Sequence, residues 1–176
     1  MKIGFCGTMS VGKTTLVNAL KELPEFSEYY FATERSKYLR DLGIPLNTDS
    51  TIKGQFVFLA ERASELLMEK VITDRTVIDV IAFTRLAESI PYYVGDEINQ
   101  AAAHLIGEYD YIFYISPAGV EIEDNGVRTT DAKYRDEIDL EIQNILRKYP
   151  HKIKNFTSLI GTLEERIQKV KQIVFS

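Results

Sequence analysis

One cysteine, Cys6, stands in the 176 residues, so no intramolecular disulfide can form and no thiolate cluster can hold zinc; a reducing cytosol fits. With 10 Gly and 5 Pro, the chain is too poor in both for a collagen-like or low-complexity protein. No apolar run approaches the roughly 18 residues of a membrane span, and Met1-Lys2-Ile3-Gly4 opens without the apolar stretch of a signal peptide. A cytoplasmic protein is expected, in the host cytoplasm if a phage encodes it, with no membrane partner. Basic residues are the minority, 21 Lys and Arg against 26 Asp and Glu, for a formal charge of -5. No broad basic surface is therefore available to track a nucleic-acid backbone, and a small-molecule partner is favoured.

What is present is enough for a sizeable core: hydrophobic residues make up 45% of a chain whose length suits one domain, expected over 1–176. Short apolar runs at 2–6, 29–32, 71–73, 111–115 and 153–159 alternate with helical patterns near 13–22, 34–42, 50–69, 76–89, 96–107, 132–148 and 163–174. That alternation predicts an α/β fold, since runs apolar throughout suit parallel strands buried on both faces and helices supply the crossovers. Thr162-Leu163-Glu164-Glu165 reads as a capping box opening the last helix. In 50–69, Ile52, Phe56, Leu59, Ala60, Ala63, Leu66 and Leu67 recur at helical spacing, which predicts that this face packs inward. Segments 90–95 and 116–131 read as loops, the second long enough for a functional lid.

Directly after the first strand stands Gly7-Thr8-Met9-Ser10-Val11-Gly12-Lys13-Thr14, a complete GxxxxGK[ST] match. The glycines let the loop curl until consecutive amides point at phosphate oxygens, and the helix from Gly12 adds its positive end. Gly7, Ser10, Val11, Gly12, Lys13, Thr14 and Thr15 are thus the expected nucleotide-binding set. Lys13 would reach the β and γ phosphates of ATP and Thr14 would ligate Mg²⁺. The alternative is a glycine-rich turn that merely caps a helix. Cys6 reads as a small packing residue at the strand end.

A P-loop alone does not distinguish a kinase, a GTPase and a mechanical ATPase. No NKxD or DxxG string of a GTPase occurs, and a motor ATPase would carry Asp-Glu where this chain has Val71-Ile72-Thr73-Asp74-Arg75. An arginine there suits an anionic or hydroxylated acceptor, because a guanidinium presents a rigid donor fork. The stretch ITDRTVIDVIAFTRLA resembles the DR-containing strand and helix of thymidylate and deoxynucleoside kinases, and Phe31-Ala32-Thr33-Glu34-Arg35-Ser36 looks like their acidic motif after the second strand. Glu123 to Arg135 is similar to the DGxR…R lid of the ribosylnicotinamide kinase-like AAA domain family, with Asn125 departing from its acidic pair beside Asp124. Gly161 to Arg166 matches the ending of these kinases, where a loop near the adenine precedes the last helix.

The resemblance implies a three-layer P-loop NTPase fold, a five-stranded parallel sheet of order 2-3-1-4-5 with helices on both faces and a lid near 116–135. It also implies roles. Glu34 would accept the proton of an acceptor hydroxyl or hold it in line, or else pair with Arg35. Asp74 would anchor hydrated Mg²⁺, or else cap the following helix. Arg75 would hold the acceptor, or pair with Glu34 or Asp79. Arg128 and Arg135 would stabilise the charge of the transferring phosphoryl group, or pair with Asp131, Asp136 or Asp139 on the surface. Gln55 and Phe56 would read and stack on a base; Phe83, Tyr92 and Tyr93 read as packing residues with stacking as the alternative. His104 and the acidic run from Asp136 to Glu141 read as solvated helix face.

The expectation is an ATP- and Mg²⁺-dependent kinase of a nucleoside, nucleotide or related small acceptor, with a homodimer as an assembly open to it. Two others stand beside it: a kinase of 5-hydroxymethyluracil in phage-type DNA, the one case with a DNA partner, and a regulatory ATPase without a phosphorylated product.

Overall fold

The computed structural model describes residues 1–33, 36–118 and 132–176, apart from the side chains of 36–37. Five strands, β1 (Lys2–Cys6), β2 (Tyr30–Ala32), β3 (Val71–Thr73), β4 (Tyr111–Ile115) and β5 (Phe156–Leu159), form one sheet of order β2-β3-β1-β4-β5. Every pairing is parallel, with Gly4 opposite Thr73 on one side and Ile112 on the other. The implied order therefore holds. Gly4 is required by close approach rather than by its backbone: a Cβ there would stand 2.5 Å from the Thr76 methyl and 2.8 Å from the Tyr109 ring.

Seven helices make the crossovers among the described residues: α1 (Lys13–Lys21), α2 (Ser36–Asp41), α3 (Ile52–Glu65), α4 (Val77–Arg85), α5 (Tyr92–His104), α6 (Ala132–Lys148) and α7 (Leu163–Val174). On one face of the sheet Ile78, Ile81, Ala102, Ile138 and Ile142 of α4, α5 and α6 pack on Tyr109 and Ile112. On the other, Leu16, Val17 and Leu20 of α1 and Val170 and Val174 of α7 cover Ile3, Phe5 and Phe113. Most of these side chains are wholly buried, at about 1.5–3 kcal/mol each from removal of apolar surface from water. Three layers result. No helix among the described residues is long and apolar enough to cross a membrane.

Two element starts depart furthest from the sequence reading. Helix α5 begins at Tyr92, inside the expected loop 90–95, because Pro91 accepts the amides of Val94 and Gly95, both at 3.0 Å, and its own fixed φ suits a helix start. Strand β5 begins at Phe156, three residues late, since Ile153 closes a 3₁₀ turn on Pro150.

The face of α3 is the larger correction. Phe56 is 53% and Leu67 85% exposed, and Ala60 is exposed as well; only Leu59 and Leu66 of the expected stripe are drawn inward with Ile52 and Ala63 at its margin. The buried side instead carries Gly54, Gln55 and Arg62. Polar residues line that side because it faces a cleft rather than the apolar core.

Candidate nucleotide and acceptor site

The carboxyl ends of β1, β3 and β4 meet where the chain order of the sheet reverses, the position at which open α/β sheets bind ligands. From β1 the chain enters the P-loop in conformations that L side chains rarely adopt: φ is 152° at Gly7, 56° at Ser10 and 84° at Gly12. A Cβ on Gly7 would also lie 2.6 Å from the Ile115 carbonyl. Lys13, 4% exposed, turns back over the loop and donates to the Gly7 and Thr8 carbonyls, each at 2.6 Å. The ammonium thus sits within the loop's curl, with the α1 N-terminus, capped by no side chain, beside it. Ser10, Val11 and Gly12 complete the loop; Thr15 is exposed on α1.

Two further elements grip the loop. The Thr8 hydroxyl donates to the Arg135 carbonyl at 2.9 Å, and Arg135 Nε donates to the Met9 carbonyl at 3.3 Å, so the start of α6 is tied to the loop crown. From α7, Arg166 Nη1 donates to the Val11 carbonyl at 2.8 Å. Burial alone holds the Arg166 guanidinium below its ordinary pKa.

At the end of β3 the Thr14 hydroxyl donates to Asp74 Oδ2 at 2.6 Å, and Asp74 is fully buried. Its Oδ1 has no hydrogen-bond partner among the described residues. A hydroxyl and a buried carboxylate oxygen left open, at the mouth of a phosphate loop, form the hard-oxygen set that Mg²⁺ and its waters take. The pair fits that ion.

Arg75 follows with φ 142°, a strained conformation of the sort that gathers at functional sites. Its guanidinium lies 3.6 Å from Asp79 Oδ1 and 5.0 Å over the Phe83 ring. Asp79, 1% exposed, accepts Thr76 N–H at 2.8 Å and the Thr76 hydroxyl at 3.0 Å on Oδ2, and Gly7 N–H at 3.3 Å on Oδ1. One carboxylate therefore caps α4 and braces the P-loop.

Beside it opens a cleft of about 560 Å³, counting its mouth, walled by Met9 of the P-loop, Leu46, Asn47, Gln55, Phe58, Arg62, Arg75, Asp79 and Phe83. Gln55 Oε1 accepts the Thr84 hydroxyl at 3.1 Å. Arg62, 2% exposed, donates to Glu65 at 2.5 Å. Phe58, not Phe56, is the ring that α3 gives the cleft, the residue two places on facing inward with Gln55. Tyr92 and Tyr93 are 89% and 70% exposed at the start of α5 and His104 is exposed at its end. In the acidic run, Asp139 is buried and accepts the Tyr114 hydroxyl at 2.8 Å, so it is not solvated face. Cys6 is fully buried and burial pushes its thiol well up, which suits packing and not nucleophilic attack. Glu34, Arg35, Asp124, Asn125 and Arg128, with 119–131 of the expected lid, lie outside the described residues.

Sequence reasoning named Asp79 only as a pairing alternative for Arg75, which the 3.6 Å contact bears out, and Arg166 only as the end of the last-helix motif; it gave neither a contact with the P-loop. The first had a local signal, since Thr76-Val77-Ile78-Asp79 has the spacing of a capping box; the second had only its place at the end of the Gly161 to Arg166 motif.

A P-loop between β1 and α1, in a five-stranded parallel sheet of this order, is the architecture of a P-loop NTPase fold. The profile of an AAA domain family matches residues 2–166, and the chain belongs to that family. Among solved structures it is similar to deoxyadenosine kinase from M. mycoides with bound dCTP, at 16% identity and TM-score 0.69 over 99% of both chains. The same kinase with bound dATP gives 15% identity and TM-score 0.67 over 100% of both. NadR protein in complex with NAD and AMP-PNP gives 15% identity and TM-score 0.73 over 99% of this chain and 49% of that one, so the chain spans about half of NadR. No curated protein matches the sequence.

Proposed function

We propose that the protein is an ATP- and Mg²⁺-dependent kinase that transfers the γ-phosphoryl group to a hydroxyl or phosphate of a nucleoside, nucleotide or related small acceptor. The observation that carries this reading is a shared wall: Asp79 takes the Gly7 amide of the P-loop and, with Arg75 and Met9, lines the neighbouring cleft. A group held in that cleft is beside the phosphate loop. The dCTP, dATP, NAD and AMP-PNP in the similar structures support a nucleotide donor and a nucleoside-like acceptor.

Lys13 and the loop amides hold the donor phosphates. Thr14 and Asp74 hold Mg²⁺, which when bound neutralises phosphate charge. Glu34 takes the acceptor proton as the new P–O bond forms and ADP leaves, and Arg128 and Arg135 stabilise the charge on the oxygens in flight. Gln55 and Phe58 orient the acceptor, with Arg75 at its reacting end. No covalent enzyme intermediate is required; position and charge do the catalysis. The lid residues, and a single kinase unit over 1–176, belong to the same proposal.

The experiment is a screen of nucleosides, nucleotides and 5-hydroxymethyluracil DNA with ATP and Mg²⁺. A mass gain of one phosphate on one small acceptor, with matching ADP release, is expected. Gain on the DNA alone would move the acceptor to a flipped base. If no acceptor stimulates turnover while a protein partner does, the kinase reading falls.

A further inference from the structure

Arg166 sits in the first turn of α7 and is 9% exposed. Its Nη1 donates to the Val11 carbonyl, and a Cβ on Gly12 would stand 3.3 Å from that same nitrogen, so this end of the guanidinium lies against the P-loop. Its Nε is buried with no hydrogen-bond partner among the described residues. No carboxylate there comes within ion-pair distance either. The two acidic residues before it are engaged elsewhere: Glu165 closes the capping box on Thr162, and Glu164 accepts from Gln168. Arg62, still more buried, shows the usual arrangement, with Glu65 as its counter-charge.

A buried guanidinium without a carboxylate is costly, because desolvation is not repaid by an opposite charge. Fixing one carbonyl does not call for a full charge, since a neutral donor would do. The lowered pKa, with burial as its sole cause, agrees that nothing negative in the described chain faces the group. The anion therefore comes from outside the described residues, and the element Arg166 touches is the loop built for phosphate.

We propose that Arg166 is a phosphate-binding residue whose charge is completed by the polyphosphate of the nucleotide on the P-loop. This rests on the P-loop's binding a nucleotide, as proposed above. It adds a cation from the last helix to those the sequence singled out, and it links the turn at Gly161 and Thr162 to the phosphate end of the site.

The test compares the full chain with Arg166→Met and Arg166→Lys, measuring thermal stability and the affinity for ADP and for inorganic pyrophosphate, both with Mg²⁺. Arg166→Met is expected to melt no lower than wild type without ligand, since an uncompensated charge is gone. Its affinity for ADP and pyrophosphate should fall by the same factor, about ten- to hundredfold for a lost charged hydrogen bond. Arg166→Lys should recover part of both. A lower melting point in Arg166→Met with ADP affinity unchanged would make Arg166 a structural clamp and overturn the proposal. If Arg166→Met does not fold, Arg166→Gln takes its place with the same expectations. If wild type itself binds neither ligand, the nucleotide reading fails first and this inference with it; a wild type that binds both, beside variants that bind equally well, sinks the inference alone.

Discussion

Asp79 accepts the backbone amide of Gly7 at 3.3 Å while its other oxygen caps α4 through Thr76 at 2.8 Å. A helix start and the phosphate loop are thus fixed by one buried carboxylate. Arg75, 3.6 Å away, shares it. Replacing Asp79 by Asn keeps the size but gives one of these positions a donor that meets another donor or a guanidinium. Asp79→Asn is expected to cost about 2–4 kcal/mol of stability, the range for an unsatisfied buried group plus a broken buried pair. Urea unfolding checks this, and ADP affinity should fall with it because the Gly7 end of the loop loses its brace.

The Thr14–Asp74 contact makes a different prediction. Thr14 donates at 2.6 Å to one oxygen of Asp74 and leaves the other open. Asp74→Asn retains the neighbour's hydrogen bond yet removes the charge that would order a metal's waters. Turnover should drop about 10- to 100-fold, the scale for losing such a metal-orienting partner. The half-saturating Mg²⁺ concentration should rise while melting temperature changes little. Turnover as Mg²⁺-dependent as wild type's would leave Asp74 a structural residue.

How far the sequence could be read varies with how local the signal is. The P-loop was legible because eight consecutive residues carry it, and the strand and helix around it need only their own periodicity. The face of α3 was not. Apolar spacing picks out Phe56, Ala60, Ala63 and Leu67, but the helix turns Gln55 and Arg62 inward toward a polar cleft, so hydrophobicity points the wrong way. Asp79 and Arg166 act on residues 72 and 155 positions away, respectively, a relation that no local pattern encodes. The sheet order came from resemblance, since strand periodicity says nothing of which strand lies beside which.

That misread face yields a test of the acceptor cleft. Phe58 and Gln55 line it, whereas Phe56 is 53% exposed outside. Gln55→Leu and Phe58→Ala are each expected to raise the acceptor KM about tenfold or more, the worth of one hydrogen bond or one ring contact, with ATP affinity unchanged. Phe56→Ala should leave both constants near wild type. An acceptor KM that responds to Phe56 and not to Phe58 would put the acceptor elsewhere.

Acid stability should report on Asp110, at the entrance of β4. Its carboxylate accepts the Lys2 amide at 2.8 Å and the Lys154 ammonium at 3.0 Å, tying β1 and the β5 approach to β4. Partial burial raises its pKa, but the Lys2 amide and Lys154 outweigh that and hold it below the ordinary 3.8. A carboxylate whose folded pKa is depressed stabilises fully above its unfolded value and loses that contribution as pH falls through the folded one. The contribution is therefore intact at neutral pH, starts to fall at about pH 4 and is lost as pH drops through the depressed folded value. Asp110→Asn should lower the urea midpoint at pH 7 and flatten its decline between pH 5 and 3, so that wild type and variant converge in acid. Parallel curves with a constant gap over that range would show that the Asp110 charge contributes nothing to the pH dependence.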